Sequence, residues 1–271
     1  MQKSPLSQNT VSITKKIQKS PKYKLIYPKT IQRIVEFNFK KFKDPQKVEQ
    51  ETRKILHQIW GSYFKSKLRY KKILERFKAG IKEKGEKEAV LDLLKIHSST
   101  AERIPVLGEF YSDIFNITGR PQKILDIGAG FNPLTLPWMN LDQAAVYLGS
   151  DINQGQINFL KNILTELNLK PKIKLKTKDI FVDDFPKADL AFLLKFLPVV
   201  SHQSKADYLK IFQKLKVKNI VTSYPNQSLC GKEKGMINFY KNQIIQFCAK
   251  EKFQFKKIPF KTETVYILTK P

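Results

Sequence analysis

The chain has 271 residues, of which 50 are Lys or Arg and 24 Asp or Glu, giving a formal net charge of +26 at neutral pH. A field of that size opposes its own compaction unless a polyanion neutralises it, so nucleic acid is the first partner to consider and an anionic membrane the second. The 41% hydrophobic content supports a buried core, no apolar run approaches the ~20 residues that span a bilayer, and the first residues lack the apolar core of a signal peptide. Three scattered histidines and two cysteines outside any CxxC disfavour a metal centre or disulfide framework and fit a reducing cytoplasm.

Residues 1–25 are polar, rich in Lys, Ser and Pro, and lack periodicity, which predicts a mobile basic arm. Residues 26–95 read as a helical subdomain. Ile31, Ile34, Val35 and Phe39 fall at i, i+3, i+4 and i+8; Val48, Ile55, Ile59 and Tyr63 recur at compatible spacing; Leu68, Ile73, Leu74 and Phe77 form a third set. A fourth apolar run covers 89–96, and Gly80 and Gly85 mark a break before it. Basic residues crowd the third set, among them Lys67, Arg69, Lys71 and Lys72, and residues 1–95 carry 25 basic against 9 acidic side chains. Such faces suit a polyanion, although solvated helix faces have the same composition.

Ser99 to Glu102 has the form of a capping box, and Ile104, Leu107, Phe110, Tyr111 and Ile114 make the apolar face of the helix it would start, bent by Pro105. Beyond it, strand segments at 123–127, 146–151, 172–178, 188–195 and 219–224 alternate with helical ones near 154–168, 203–215 and 235–250. Two last strands, 253–259 and 263–269, are close enough to pair as a hairpin. Five β/α units and a terminal antiparallel pair predict an α/β domain over 96–271.

The turn after the first strand is the most informative stretch. The apolar run 124–127 ends in Gly128-Ala129-Gly130 and passes into a segment able to open a helix, as where a parallel strand lets backbone approach a nucleotide cofactor. The dinucleotide pattern asks for a third glycine where Pro133 stands, which counts against a pyrophosphate cradle and for a cofactor without one, such as S-adenosylmethionine. The predicted fold is therefore the Rossmann-like sheet of class I methyltransferases.

In such a sheet ligands sit at the carboxyl ends of the strands. Those ends carry Asp126, Asp151 with Ile152, and Asp179 with Ile180. Asp151 is placed to accept ribose hydroxyls, although Asp is also a favoured helix N-cap. Asp179 and Ile180 are placed for an adenine edge, or form a solvated loop. Lys195 interrupts the apolar run 188–198. Burying an unpaired ammonium is costly, so Lys195 must reach a partner, extend to solvent or serve a ligand; at the end of the fourth strand it would face a reacting centre. The loop 223–236 combines Tyr224, small hydroxyls, glycines, Lys232 and Lys234, suited to stacking an extruded base and holding phosphates, or simply a basic surface loop.

These residues carry a resemblance that covers roughly residues 30–270. The segments Leu56 to Tyr63, Leu94 to Arg103, Gly130 to Met139 and Ser223 to Met236, with Glu263 to Ile267, closely resemble the aminoglycoside-resistance 16S rRNA methyltransferases of the Arm type, which act on N7 of guanine 1405. The resemblance implies that Arg103 pairs with the methionine carboxylate of the donor, Gly128 and Gly130 line its methionine and ribose, Asp151 holds the ribose hydroxyls and Asp179-Ile180 the adenine. Lys195, Leu197 and Pro198 would sit near the methyl and the target base. Glu263 would be functionally important in an unspecified role. The helical region would dock, as part of a monomer, on the small ribosomal subunit. Gln227, Ala129 and Pro105 depart from the family pattern and leave efficiency open. Two other readings stay open: a methyltransferase for another rRNA base, such as N1 of an adenine, and a non-catalytic basic RNA-binding protein on the same fold.

Overall fold

The computed structural model describes residues 5–60, 68–201, 208–226 and 236–271. Three helices come first: α1 (Pro5–Lys19), α2 (Pro28–Phe39) and α3 (Pro45–Trp60). Prolines open α2 and α3, where the missing N–H costs nothing. Asp44 accepts from the backbone N–H groups of Gln46 and Lys47 ahead of α3. Ile13, Ile17, Tyr23, Ile31, Val35 and Val48 bury one another in a core shared by the three helices. The mobile arm expected over 1–25 is thus corrected over the described part. Ile13 and Ile17, four apart, put an apolar stripe on α1 that its polar composition hides.

The expected unit 26–95 also divides. The helices α4 (Tyr70–Lys84) and α5 (Glu86–Leu94) do not join that core. Their Phe77, Val90, Leu93 and Leu94 belong to the main core, with residues of α7 (Leu107–Thr118) and α9 (Gln154–Leu164). The single bent helix predicted from Ser99 is three pieces: α6 (Ser98–Ala101), a 3-10 turn at Ile104–Val106 around Pro105, and α7. His97 precedes α6, and Ser99 caps nothing. The short α8 (Leu136–Met139), α10 (Leu197–Ser201) and α11 (Ile211–Lys214) and the long α12 (Met236–Glu251) complete the helices.

Among the described residues the sheet has seven strands, in the order β3-β2-β1-β4-β5-β7-β6. They are β1 (Lys123–Ile127), β2 (Val146–Asp151), β3 (Lys172–Thr177), β4 (Ala188–Leu194), β5 (Val217–Pro225), β6 (Gln254–Pro259) and β7 (Glu263–Thr269). The first five run parallel, while β7 lies antiparallel to β5 and β6 antiparallel to β7. This is the Rossmann-like class I arrangement predicted from the alternation of elements. β4 is apolar along nearly its whole length because it is buried on both faces. The strand order reverses between β1 and β4, which opens a crevice at their carboxyl ends. No helix among the described residues is long and apolar enough to cross a membrane.

Candidate active site

The floor of the crevice is the turn after β1. Gly128 and Gly130 both hold positive φ, +66° and +52°. A Cβ on Gly128 would overlap the Phe196 ring, and one on Gly130 would lie 3.0 Å from the His97 ring, so only glycine lets the backbone approach so closely. The turn is tied to β2: the Ala129 N–H donates to the Ser150 carbonyl (2.9 Å) and the Gly130 N–H to Asp151 Oδ2 (3.1 Å). Asp151 also accepts from the Asn153 N–H (3.1 Å) and from Gln156 Nε2 (3.3 Å). Burial raises its pKa, against the pull of these donors. Asn153, not Asp151, caps α9 by accepting from the Gln156 N–H.

One end of the crevice is cationic. Arg103 follows α6 and is only 1% exposed. Its Nε and Nη2 donate to the two carboxylate oxygens of Glu263 at 2.9 and 3.0 Å, and its Nη1 donates to Asn132 Oδ1 at 3.2 Å. The guanidinium lies 4.4 Å from the centre of the Phe110 ring. Among the described residues three of its five donors are thus used, and two remain on the terminal nitrogens. Glu263, also 1% exposed, opens β7. Burial opposes both charges, yet each sustains the other: the Glu263 carboxyl is held below its ordinary pKa by Arg103 and Lys195, and Arg103 is held above its own by Glu263. Asn132 is oriented in turn, donating to Asp126 Oδ2 (2.8 Å) and accepting from the Tyr111 hydroxyl (2.8 Å). Tyr147 donates to the same Asp126 oxygen. Burial pushes Asp126 up to about 6.

Lys195 is the first residue after β4, in a left-handed conformation (φ +51°). Such a backbone costs about 1–3 kcal/mol in a non-glycine residue. Its N–H donates to Ser223 Oγ at 3.0 Å, which helps fix the turn, and its Nζ pairs with Glu102. His97 stacks on Phe131, with ring centres 5.3 Å apart. Burial, with the charges of Arg103 and Lys195, pushes its pKa down to about 3, so it is neutral.

The other end is closed by α2. Asp179 accepts from Thr30 Oγ1 (2.8 Å) and from the Nε and Nη2 of Arg33 (3.1 and 3.0 Å). Arg33 lies 4.5 Å over the Phe181 ring. From end to end the crevice therefore passes from Arg103 and Lys195, past the carboxylate of Asp151, to Ile152, Ile180 and Phe181. That order suits an amino-acid carboxylate, a ribose diol and an adenine plane.

The profile of the family described as "Ribosomal RNA methyltransferase (FmrO)" matches residues 19–267. The chain belongs to this family. A 16S rRNA (guanine(1405)-N(7))-methyltransferase of Proteus mirabilis is 32% identical over 84% of this chain and 85% of the relative. Among solved structures, the 16S rRNA methylase ArmA is 33% identical, with a TM-score of 0.64 over 76% of this chain and all of that one. The 16S rRNA methyltransferase RmtF in complex with S-adenosyl-L-homocysteine shares the fold at 21% identity, with a TM-score of 0.79 over 97% of this chain and 99% of that one.

Against this methyltransferase frame, the residues singled out in the sequence fall into distinct groups. Arg103, Asp126, Gly128, Gly130, Asp151, Ile152, Asp179, Ile180 and Lys195 meet at the crevice. Within that group Asp126 and Asp179 have their carboxylates turned to protein partners, Tyr147 and Asn132 for the first, Arg33 and Thr30 for the second. These bonds fix the two carboxylates in the crevice wall, as the Gly130, Asn153 and Gln156 donors fix Asp151. Leu197, the first residue of α10, is fully buried in the core and does not line the crevice, where Phe196 and Val199 stand instead. Tyr224 is no stacking platform for a base: it is 2% exposed, with its ring stacked on Tyr240 at 4.3 Å and edge-on to Tyr266. Tyr240 of α12 covers that face of β5, which turns the side chain into core. Glu263, whose role the sequence left unspecified, is the partner that orients Arg103. Arg69, Lys71 and Lys72 are exposed at the start of α4. Lys67, Lys232, Lys234 and Gln227 lie outside the described residues. Thr30, Arg33, His97, Asn132 and Phe196 were not foreseen. Asn132, two residues beyond the second glycine, Phe196, beside Lys195, and His97, within the Leu94 to Arg103 segment, had a sequence signal.

Proposed function

We infer that this chain transfers a methyl group from S-adenosylmethionine to N7 of guanine 1405 of 16S rRNA in the small ribosomal subunit, acting as a cytoplasmic monomer, and that the modification gives resistance to aminoglycosides. One observation carries the reading: Arg103 braced by Glu263, the Gly128–Gly130 turn and Asp151 line a single crevice at the point where the strand order reverses. The relative from Proteus mirabilis is named for this reaction.

The residues fit the donor. The two remaining Arg103 donors suit its carboxylate, Asp151 suits the ribose hydroxyls, and Ile152, Ile180 and Phe181 suit the adenine. When bound, the donor supplies a methyl group made electrophilic by its sulfonium. Guanine N7 offers an in-plane lone pair and bears no proton, so its attack needs no general base, and no residue of the crevice is assigned one. The work of the chain is alignment and exclusion of water. Lys195, set at the crevice by its fixed backbone and by Glu102, is assigned to orienting the guanine through O6 or a phosphate. Guanine N7 faces the major groove, which A-form RNA hides. Reaching it requires an extruded base or a distorted helix, and a broad basic surface offsets that cost. Arg69, Lys71 and Lys72, with Lys67 and Lys234, are assigned to that surface, and Lys232 to the target base beside Lys195.

The test is to incubate the protein with purified small subunits and labelled donor, then cleave the RNA at 7-methylguanine and map the break by primer extension. A single break at guanine 1405, with gentamicin and kanamycin resistance in cells expressing the protein, is expected. A label on an adenine, or none, would overturn the reading.

A further inference from the structure

Residues 170–178 carry lysine at every second position: Lys170, Lys172, Lys174, Lys176 and Lys178. Three of them lie within β3, one of the two edges of the sheet. Residues two apart in a strand share a face at about 6.6 Å spacing, so Lys172, Lys174 and Lys176 form one row, all exposed. Ile173 and Leu175, on the other face, pack into the main core. None of the three lysines has an acidic partner among the described residues.

The register places the row beside Val146, Leu148 and Ser150 of β2. It therefore lies on the sheet face that buries Leu125 and Ile127 at its centre. In a doubly wound sheet helices cover both faces. Here the β3–β4 connection, residues 178–187, contains no helix. Phe181 and Phe185 pack against this face instead, with Lys178 4.9 Å over the Phe185 ring. The margin of the face is left to the lysines.

Lysine on an edge strand also blocks unwanted strand pairing, but that role does not call for an unbroken row on one face. The opposite edge, β6, carries Lys256 and Lys257 at consecutive positions, one on each face. The acids at the crevice end of the β3 row are already engaged, Asp179 by Arg33 and Asp183 by Lys29 and Tyr27. Asp184, in the same connection, forms no described ion pair with the row either.

We propose that the β3 lysine row binds a stretch of the sugar–phosphate backbone of the rRNA substrate. A row of point charges with rotatable donors holds phosphates without reading bases. Since β3 runs into Lys178 and Asp179, the bound backbone would lead along the flank of the sheet to the crevice. The proposal rests on the reading that the substrate is rRNA.

The test uses the full chain, a variant combining Lys172→Gln, Lys174→Gln and Lys176→Gln, and a matching triple Arg variant. Small-subunit binding is measured across a salt series, with donor affinity by calorimetry and thermal melts alongside. The Gln variant should melt and bind donor as the parent does, lose at least tenfold in subunit affinity, and show a salt slope shallower by about 2, at ~0.7 per phosphate contact. The Arg variant should keep the parental affinity and slope. Should the triple Gln variant misfold, Lys174→Gln alone should reduce the slope by about 0.7. Unchanged affinity and slope in a folded Gln variant, including one that self-associates but binds normally in its monomeric fraction, overturn the lysine row while leaving the rRNA reading standing. A parent protein that neither binds nor methylates small subunits overturns the rRNA reading, and this proposal with it.

Discussion

Replacing Glu263 with Ala leaves the Arg103 guanidinium at 1% exposure with two of its three described hydrogen bonds gone. Removing one member of a buried ion pair costs about 3–5 kcal/mol, because the surviving charge is stranded away from water. In a chain of this size each kcal/mol lowers Tm by roughly 2–4 °C, so a fall of about 6–20 °C is expected. Donor affinity should fall at least tenfold as well, since Arg103 loses the clamp that aims its free donors. Glu263→Gln, which keeps the shape but not the charge, should lie between Ala and the parent. The effect has a defined pH sign. The folded pKa of Glu263 lies below its ordinary value of 4.5, so its stabilisation is complete above that value and is lost as pH falls through the folded one. Circular-dichroism melts at pH 4 and pH 7.5, with calorimetric titration of S-adenosylhomocysteine, read all three quantities. A Glu263→Ala protein that melts within about 2 °C of the parent at pH 7.5 and binds donor equally well refutes the reasoning.

Three further predictions concern the same crevice. Asp126 has a folded pKa of about 6 against an ordinary 3.8, so the stability it confers is full below the lower value and lost as pH rises through the higher. The Tm of Asp126→Asn relative to the parent should therefore climb between pH 4 and pH 7, and a flat difference would show that folding does not retain that proton. Lys195→Ala should slow methyl transfer on the order of 10²-fold while donor affinity stays within about twofold; labelled-donor assays and calorimetry check both, and an unchanged rate removes Lys195 from base positioning. Arg33→Met should weaken donor binding by about 1.5 kcal/mol, roughly tenfold in Kd, by freeing the wall that Asp179 and Phe181 form; parental affinity in this variant would show that α2 does not shape the pocket.

The sheet was readable because its strands end where their chemistry changes. β1 stops at Gly128 and β2 at Asp151, as the apolar runs indicated, and β4 falls one residue short of Lys195, whose positive φ turns the chain. The features that were hidden depend on distant partners. Arg103 and Glu263 are 160 residues apart, and Arg33 and Asp179 are 146; neither spacing nor composition shows which charges meet. Nothing near Asp179 in sequence announced Arg33 as its partner. Tyr224 read as accessible because it adjoins a glycine-rich loop, yet Tyr240 of the distant α12 covers it. In α1 the two isoleucines that anchor the helix were outweighed by the polar residues around them.

The most direct test of the account is mass spectrometry of the 16S rRNA fragment containing guanine 1405, from small subunits treated with donor and either the parent protein or Arg103→Ala. One added methyl, at N7 of that guanine, is expected with the parent and essentially none with the variant. A methyl placed elsewhere, or equal modification by Arg103→Ala, would contradict it.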